Sequence, residues 1–327
     1  MRAAVWTGYG GPEVVEVRKV DVPEPRDREI LVRVRAAGVS AGDTEIRSLK
    51  IPLGLGLPMR FYAGLIKPKR ISILGSELSG DVEAVGKDVT QFVPGDAVIA
   101  STSTNFGGHA EYICLPEAGV IAKKPENIGY REAAVVPMGG INALHFMELA
   151  KIEPGQHVMI YGGSGSIGSF AIQLAVKYGA TVHAVGGPGS LDILRSIGAS
   201  EVYDYTKHDF TANGVIYDVI FDAVGKLPFS KAMKALKEDG TFLDANPTWG
   251  KIFRGKAVSV FSNKKVLYNL ADESPDELRR LCSFIEEGTV TPVIDRTYTL
   301  EEIQEAHRYV EQRQKIGNVV INMEATA

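Results

Sequence analysis

Cysteine is nearly absent. Cys114 and Cys282 are the only two in 327 residues, too few for a disulfide framework, so a reducing compartment is expected. No uninterrupted apolar run is long enough to cross a bilayer, and the opening residues MRAAVWTGYG have neither the apolar core nor the cleavage site of a signal peptide. These absences point to the cytoplasm and against stable membrane insertion. Positive charge is not in excess either: 36 Lys and Arg against 40 Asp and Glu leave a formal net charge of −4. Phosphate binding by counterion release needs clustered cations, so a nucleic-acid partner is not expected. KPKR (67–70) is the one locally basic tract and reads as a solvated loop. The six histidines, His109, His145, His157, His183, His208 and His307, are scattered without metal-ligand spacing. There is no internal repeat and no low-complexity segment. What is present is the composition of a soluble globular protein, 45% hydrophobic and 23% charged, at a length that predicts two domains.

The most informative stretch lies halfway along. The apolar run HVMIYG (157–162) leads into Gly163, Gly165 and Gly168, which open an amphipathic segment ending at Tyr178. Strand, glycine turn and helix at G-x-G-x-x-G spacing form a dinucleotide-binding fingerprint, in which each glycine has its own physical reason: a tight turn, close approach of backbone amides to a pyrophosphate, and room for helix on strand. The helix start then becomes an anion site, because its unpaired amides and its dipole point at the phosphates. Ile167, Phe170, Ala171, Leu174, Ala175 and Tyr178 recur at helical spacing, as a helix packed on a sheet requires.

Residues 1 to about 122 read as short strands, at 13–20, 29–38, 79–86, 97–100 and 109–115, with Pro94-Gly95-Asp96 as a turn. From about 125 to 271, strands at 157–162, 181–186, 216–221, 240–245 and 264–268 alternate with helical stretches, which predicts a parallel, doubly wound sheet. A helix around 276–287, the tract TPVIDRTYTL, a helix in EEIQEAHRYVEQ and a lone closing strand GNVVI (317–321) follow. That last strand is expected to complete the first, β-rich barrel domain. The expected domains are therefore 1–124 with 272–327, and 125–271.

Many ordered motifs here resemble the medium-chain dehydrogenase/reductase superfamily, and within it the zinc-independent quinone oxidoreductase branch: AGVSAGD (37–43), LGSELSGDVEAVG (74–86), VPGDAVIA (93–100), AEYICLPE (110–117), VPMGGINAL (136–144), GGSGSIGSFAIQLA (162–175), YDVIFDAVG (217–225) and IDRTYTLEEIQEAHRYVE (294–311). The resemblance implies an α/β fold, with a GroES-like catalytic domain, a Rossmann domain and an active site in the cleft between them. In zinc alcohol dehydrogenases a cysteine takes the place of Ser40 and a histidine that of Ser76. Serine hydroxyls are poor zinc donors beside thiolate or imidazole, so no metal is expected.

By resemblance, the catalytic candidates are Ser40, where the family often has Asn, Asp43, and Asn142, where it usually has Thr. Ser40 and Asp43 read equally well as a satisfied turn, and Asn142, after Gly139-Gly140 at the start of a helical stretch, as a helix cap. The cofactor candidates are Gly163, Ser164, Gly165, Ser166, Ile167, Gly168, Gly186, Ser190, Tyr205, Val224 and Asn318. The segment VHAVGGPGS (182–190) carries no acid to bind ribose hydroxyls, which favours NADPH, with NADH as the alternative. Lys207 is either a phosphate contact or a solvated lysine.

The expected function is NADPH-dependent reduction of a small quinone or α,β-unsaturated carbonyl. The alternatives are a cofactor-binding redox sensor or RNA- or partner-binding protein with little turnover, and an alcohol dehydrogenase. A homodimer is expected through KKVLYNL (264–270), the last strand of the Rossmann domain. The apolar stretch IPLGLGLPMRFYAGLI (51–66) has three readings: a connector over the barrel core, a lid with Phe61 and Tyr62 stacking on a planar substrate, and, with KPKR, a membrane-surface contact.

Overall fold

The computed structural model describes residues 1–268 and 271–324. The chain divides into two compact units: Met1–Met138, Glu273–Glu287 and Pro292–Ala327 form the first, Gly139–Asp272 with Gly288–Thr291 the second.

The first unit opens with an antiparallel pair, β1 (Arg2–Trp6) and β2 (Val15–Lys19). The long β3 (Glu29–Val39) follows, then helices α1 (Ala41–Ser48) and α2 (Gly56–Ala63). Strands β4 (Glu77–Val85), β5 (Ala97–Ser101), β6 (Tyr112–Pro116) and β7 (Ile121–Lys123) come next, then a short helix α3 (Tyr130–Ala133). In β3, Ile30, Val32 and Val34 alternate inward to a core that includes Trp6, Leu78 and Val98. The turn at Pro94 is closed by Asp96 N donating to Val93 O at 3.1 Å, with Gly95 at φ 96°, a value its missing Cβ permits. His109 and Ala110 fall outside β6. Ala110 makes only an isolated bridge to Ala3.

The second unit begins at Gly139, inside α4 (Val136–Ala150). Its elements are β8 (His157–Tyr161), α5 (Ser166–Lys177), β9 (Thr181–Gly186), α6 (Leu191–Ser196), β10 (Glu201–Asp204), β11 (Tyr217–Asp222), α7 (Phe229–Ala235), β12 (Leu236–Asp244), α8 (Trp249–Phe261) and β13 (Lys265–Leu267). The sheet runs β10-β9-β8-β11-β12-β13, every neighbouring pair parallel. Strand order reverses between β8 and β11, the switch point at which ligands bind in doubly wound sheets. Asn269 and Leu270, the end of the expected strand 264–270, lie outside the described residues.

Back in the first unit come α9 (Pro275–Glu286), β14 (Ile294–Thr299), α10 (Ile303–Glu311) and β15 (Asn318–Asn322). The closing strand is not alone, as expected from sequence: β15 pairs antiparallel with β3, and β14 adds to β15 in parallel. The alternation in IDRTYT is weak because its side chains are half-buried or exposed, which hid the strand.

A further correction concerns Asn142. Helix α4 starts at Val136, so Gly139 and Gly140 lie inside it and Asn142 is in its second turn, not at its N-terminus. Gly139 does not end a loop. It lets α4 approach α5, since a Cβ there would stand 2.2 Å from Ser166 Oγ and 3.2 Å from the Phe170 ring.

Candidate functional site

In the second unit the site grows from the turn between β8 and α5. The amides of Gly162 and Gly163 both donate to Val185 O, at 3.0 and 2.9 Å, which ties the turn to β9. Gly162 adopts φ 80°. At Gly168 a Cβ would stand 2.2 Å from Gly162 O and 2.7 Å from Gly163 Cα, so only glycine lets the helix start this close to the strand. Gly165 is the N-cap of α5, and no side chain caps the helix. The first amides of the helix therefore lack the intrahelical acceptor that a capping side chain would have replaced. Its conformation is ordinary, φ −80° and ψ 177°, and a Cβ would meet only Gly162 O, at 3.5 Å.

Other candidates gather around this turn. Gly186 ends β9, and a Cβ there would stand 2.4 Å from Ser190 Oγ and 3.5 Å from Ser164 Oγ. The buried Ser190 hydroxyl, donating to Gly187 O at 2.8 Å, thus fills the place an acidic side chain would need. Tyr205 is exposed, its amide donating to Gly186 O at 3.1 Å, with its ring 3.6 Å from where a Cβ on Gly187 would be. Val224 lies against Gly162, its Cγ1 2.7 Å from the Cβ position of that glycine. Asn142 is three residues on from Gly139 and shares the face of α4 that meets Ser166.

One feature of this region left little signal in the sequence. The fully buried carboxylate of Asp222, at the end of β11, accepts from the amides of Val224, Gly225 and Leu227, at 3.2, 2.8 and 2.8 Å. Lys251 Nζ donates to Asp222, Asp244 and Gly225 O, at 3.0, 2.8 and 2.9 Å. Burial opposes the Lys251 ammonium, but Asp244 and Asp222 outweigh it and hold its pKa above the ordinary value. Burial and the neighbouring Asp222 push the Asp244 carboxyl up. The ammonium thus clamps the ends of β11 and β12 and holds the loop that carries Val224. Asp222 stands in a tract that carried the family resemblance, but nothing in the spacing of Lys251 announced its role.

The first unit holds Ser40, Asp43 and Asn318. Ser40 is the N-cap of α1 in a complete capping box. Its Oγ accepts from Asp43 N at 3.1 Å, and Asp43 Oδ2 accepts from Ser40 N and Oγ at 2.8 and 2.6 Å. Asp43 Oδ1 accepts from Gly75 N at 3.1 Å. Ser76 Oγ is buried without a hydrogen-bond partner. Beside it in sequence, buried Glu77 accepts from Met138 N at 2.9 Å and lies against Gly38, where a Cβ would stand 2.2 Å from Oε1. Burial pushes the Glu77 carboxyl up to about 8, Asp43 adding to the effect, while Lys315 opposes it. Burial pushes the Lys315 ammonium down to about 8 against the pull of Glu77. Asn318 Nδ2 donates to Val293 O at 3.0 Å, so its amide already has a partner within this unit. His109 Nε2 donates to Gly38 O at 2.8 Å, and His307 is fully buried with burial holding it well below the usual imidazole range. Among the described residues no three His, Cys, Asp or Glu side chains cluster in a way that could hold a metal ion.

The glycine turn fits a dinucleotide: a helix start that no side chain caps, Gly168 where a Cβ would collide with Gly162, and Val224 against the turn. Residues 26–126 match the family model for the alcohol dehydrogenase GroES-like domain, and residues 197–321 that for zinc-binding dehydrogenase. The NADPH-dependent alkenal/one oxidoreductase of Arabidopsis thaliana chloroplasts is 30% identical, the match covering 98% of this chain and 79% of that protein. The quinone oxidoreductase of Pseudomonas aeruginosa is 30% identical over 97% of this chain and 98% of its own. The quinone oxidoreductase of Coxiella burnetii superposes with a TM-score of 0.88 at 26% identity, covering 99% of each chain. Sheet order, glycine turn and full-length similarity converge, and the chain belongs to the medium-chain dehydrogenase/reductase superfamily, in its quinone oxidoreductase-like branch, as an oxidoreductase that uses a nicotinamide cofactor.

Proposed function

We propose that this protein is an NADPH-dependent reductase of quinones or α,β-unsaturated carbonyls that works without zinc. The observation that carries the cofactor reading is the open N-terminus of α5 beneath Gly163, Gly165 and Gly168, with Ser190 Oγ standing where an NAD enzyme needs an acid. The amides of Ser166, Ile167 and Gly168 would hold the pyrophosphate, Ser164 and Val224 its flanks, and Ser190 and Tyr205 the adenosine end. Asn318, in the first unit, already gives both its backbone N–H and its Nδ2 to Val293 O, so it offers no free amide donor. Bound NADPH supplies a hydride, and quinones and enones accept one with their charge delocalised onto oxygen.

Asn142 would donate a hydrogen bond to that oxygen, while Ser40 and Asp43 would shape the start of α1 as positioning residues. The serines at 40 and 76 offer neither thiolate nor imidazole, and the Ser40 hydroxyl is already given to Asp43, so this donor set does not fit zinc. His109 and His307 are buried and neither is placed to take a proton from an alcohol, so simple primary alcohols should be poor substrates. The names of the relatives support the acceptor class.

The protein should be a homodimer. Among the described residues edge strand β13 is paired only by β12, and beside it α8 exposes Trp249, Phe253, Val260 and Phe261, at 57, 67, 74 and 87%. Light scattering at micromolar concentration checks this, and a monomer would refute it. The activity is tested by following NADPH oxidation against quinones, enones and aldehydes, with NADH in parallel. Fastest turnover with a quinone or enone and tighter NADPH binding are expected. Faster turnover of ethanol, activity lost on chelation, or a clear NADH preference would each overturn the corresponding part.

A further inference from the structure

From Ile46 to Ser76 the chain has no acidic residue and six basic ones, in a protein whose net charge is −4. This segment contains α2 and the turn after it, and its side chains sort onto two sides. Met59, Tyr62 and Ala63 pack on the core of the first unit. Leu57 and Phe61, one turn apart on the opposite side of α2, are 62 and 65% exposed. Beyond the helix, Ala63 O accepts from the amides of Lys69 and Arg70 at 2.8 and 3.1 Å, closing a tight loop with Leu65 and Ile66 near its tip, 57 and 89% exposed. The loop is held, not trailing: Arg60 Nε donates to Leu65 O at 2.7 Å, and the Arg70 guanidinium stacks 4.1 Å over the Tyr62 ring.

Around these apolar side chains stand Arg60, Lys67, Lys69 and Arg70, all exposed, and none is paired with an acid among the described residues. A projecting apolar ridge would be costly in water unless something covers it, and its rim of unneutralised cations selects what that is. Such a ridge suits the boundary between lipid headgroups and acyl chains, with the lysines and arginines reaching back to anionic headgroups. Among the described residues no helix is long and apolar enough to cross a membrane, so any contact lies on the surface.

We propose that the ridge of α2 and the loop after it, from Leu57 to Arg70, docks this protein on the surface of an anionic lipid bilayer. Leu57, Phe61, Leu65 and Ile66 enter the interfacial layer, and Arg60, Lys67, Lys69 and Arg70 hold the headgroups. The proposal is independent of the acceptor and of the cofactor preference.

Co-sedimentation of the full chain with vesicles tests it, using phosphatidylcholine alone and equal parts phosphatidylcholine and phosphatidylglycerol. Retention is expected on the anionic vesicles, weakening as salt is raised, and little on the neutral ones. Each cation near such a surface is worth about fivefold, so the double variant Lys67→Glu, Lys69→Glu should lose at least about 25-fold in partitioning. That variant should keep wild-type turnover of a soluble quinone, which shows that it is folded. Ile66→Asp, checked by circular dichroism, should also lose retention although it leaves every cation in place. Equal retention on both vesicles, none on either, or retention unchanged in both variants would overturn the proposal. A variant with an altered oligomeric state and no lipid dependence would assign the ridge to a second copy, and would overturn it too.

Discussion

Helices α1 and α5 each begin where a strand has just ended, and their N-termini are spent in opposite ways. At α1 the orphan amides are closed by Ser40 and Asp43, and the Asp43 carboxylate also takes Gly75 N. At α5 the N-cap is Gly165 and no side chain reaches the helix start. The same local device is a structural lock in the first unit and an anion receptor in the second. A sequence motif near a helix start therefore predicts a ligand only where the chain has left the amides unclaimed. The carboxyls differ in the same manner. Asp43 accepts three donors, whereas Glu77 accepts one, Met138 N, among the described residues, and burial pushes it up to about 8.

Breaking the closed side should cost most. Asp43→Ala strands the buried Gly75 amide and the half-buried Ser40 amide and hydroxyl, each worth about 1 to 2 kcal/mol, and should lower unfolding stability by about 4 kcal/mol in urea titration. NADPH affinity in the protein that remains folded should stay within about threefold. A loss below about 1 kcal/mol would mean that the box is not what holds α1.

Closing the open side should separate binding from stability. Gly165→Asp puts an acceptor on an unstrained N-cap, so the fold should gain about 0.5 to 1 kcal/mol. The same carboxylate claims the amides and repels phosphate, so NADPH should bind at least about 100-fold more weakly, about 2.7 kcal/mol by fluorescence titration. Unchanged affinity would remove the helix start from the cofactor site. Asn142→Ala, on the helix face that meets Ser166, should lower turnover about tenfold to hundredfold while the NADPH dissociation constant moves less than about threefold.

Glu77 sharpens the contrast through pH. Its carboxyl stays protonated in the fold up to about 8 but ionises near 4.5 once unfolded. The fold is therefore favoured below about pH 4.5 by this group and progressively disfavoured as pH climbs to about 8. Glu77→Gln should remove that decline, about 3 kcal/mol between pH 5 and pH 8, in urea titrations. Parallel pH profiles for variant and wild type would show that Glu77 is ionised in the fold. Smallest of all, Ser40→Ala should cost about 1 kcal/mol of stability and lower turnover less than tenfold, because the hydroxyl hydrogen already goes to Asp43.

Much of the fold was readable because periodicity reports burial. The runs that became β8, β9 and β11 are mostly apolar, as a parallel sheet covered on both faces demands, and the run that became β3 alternates toward its core. Strands β1, β10 and β14 were not read, being short or half-exposed at sheet margins, where tertiary pairing rather than composition sets the backbone. The start of α4 was misplaced at Gly139-Gly140 because glycine usually breaks helices, and only the packing against Ser166 shows why it is inside one.

By itself the sequence determined the parallel sheet, the glycine turn and the family, since these rest on local spacing and on close backbone approaches that glycine permits. Tertiary structure alone decided which helix start stays open, that Lys251 clamps Asp222 to Asp244, that Glu77 keeps its proton and that the apolar ridge of α2 faces water. Each of these depends on groups far apart in the chain, and the free energy of a buried charge or an exposed side chain is set by whatever the fold brings beside it.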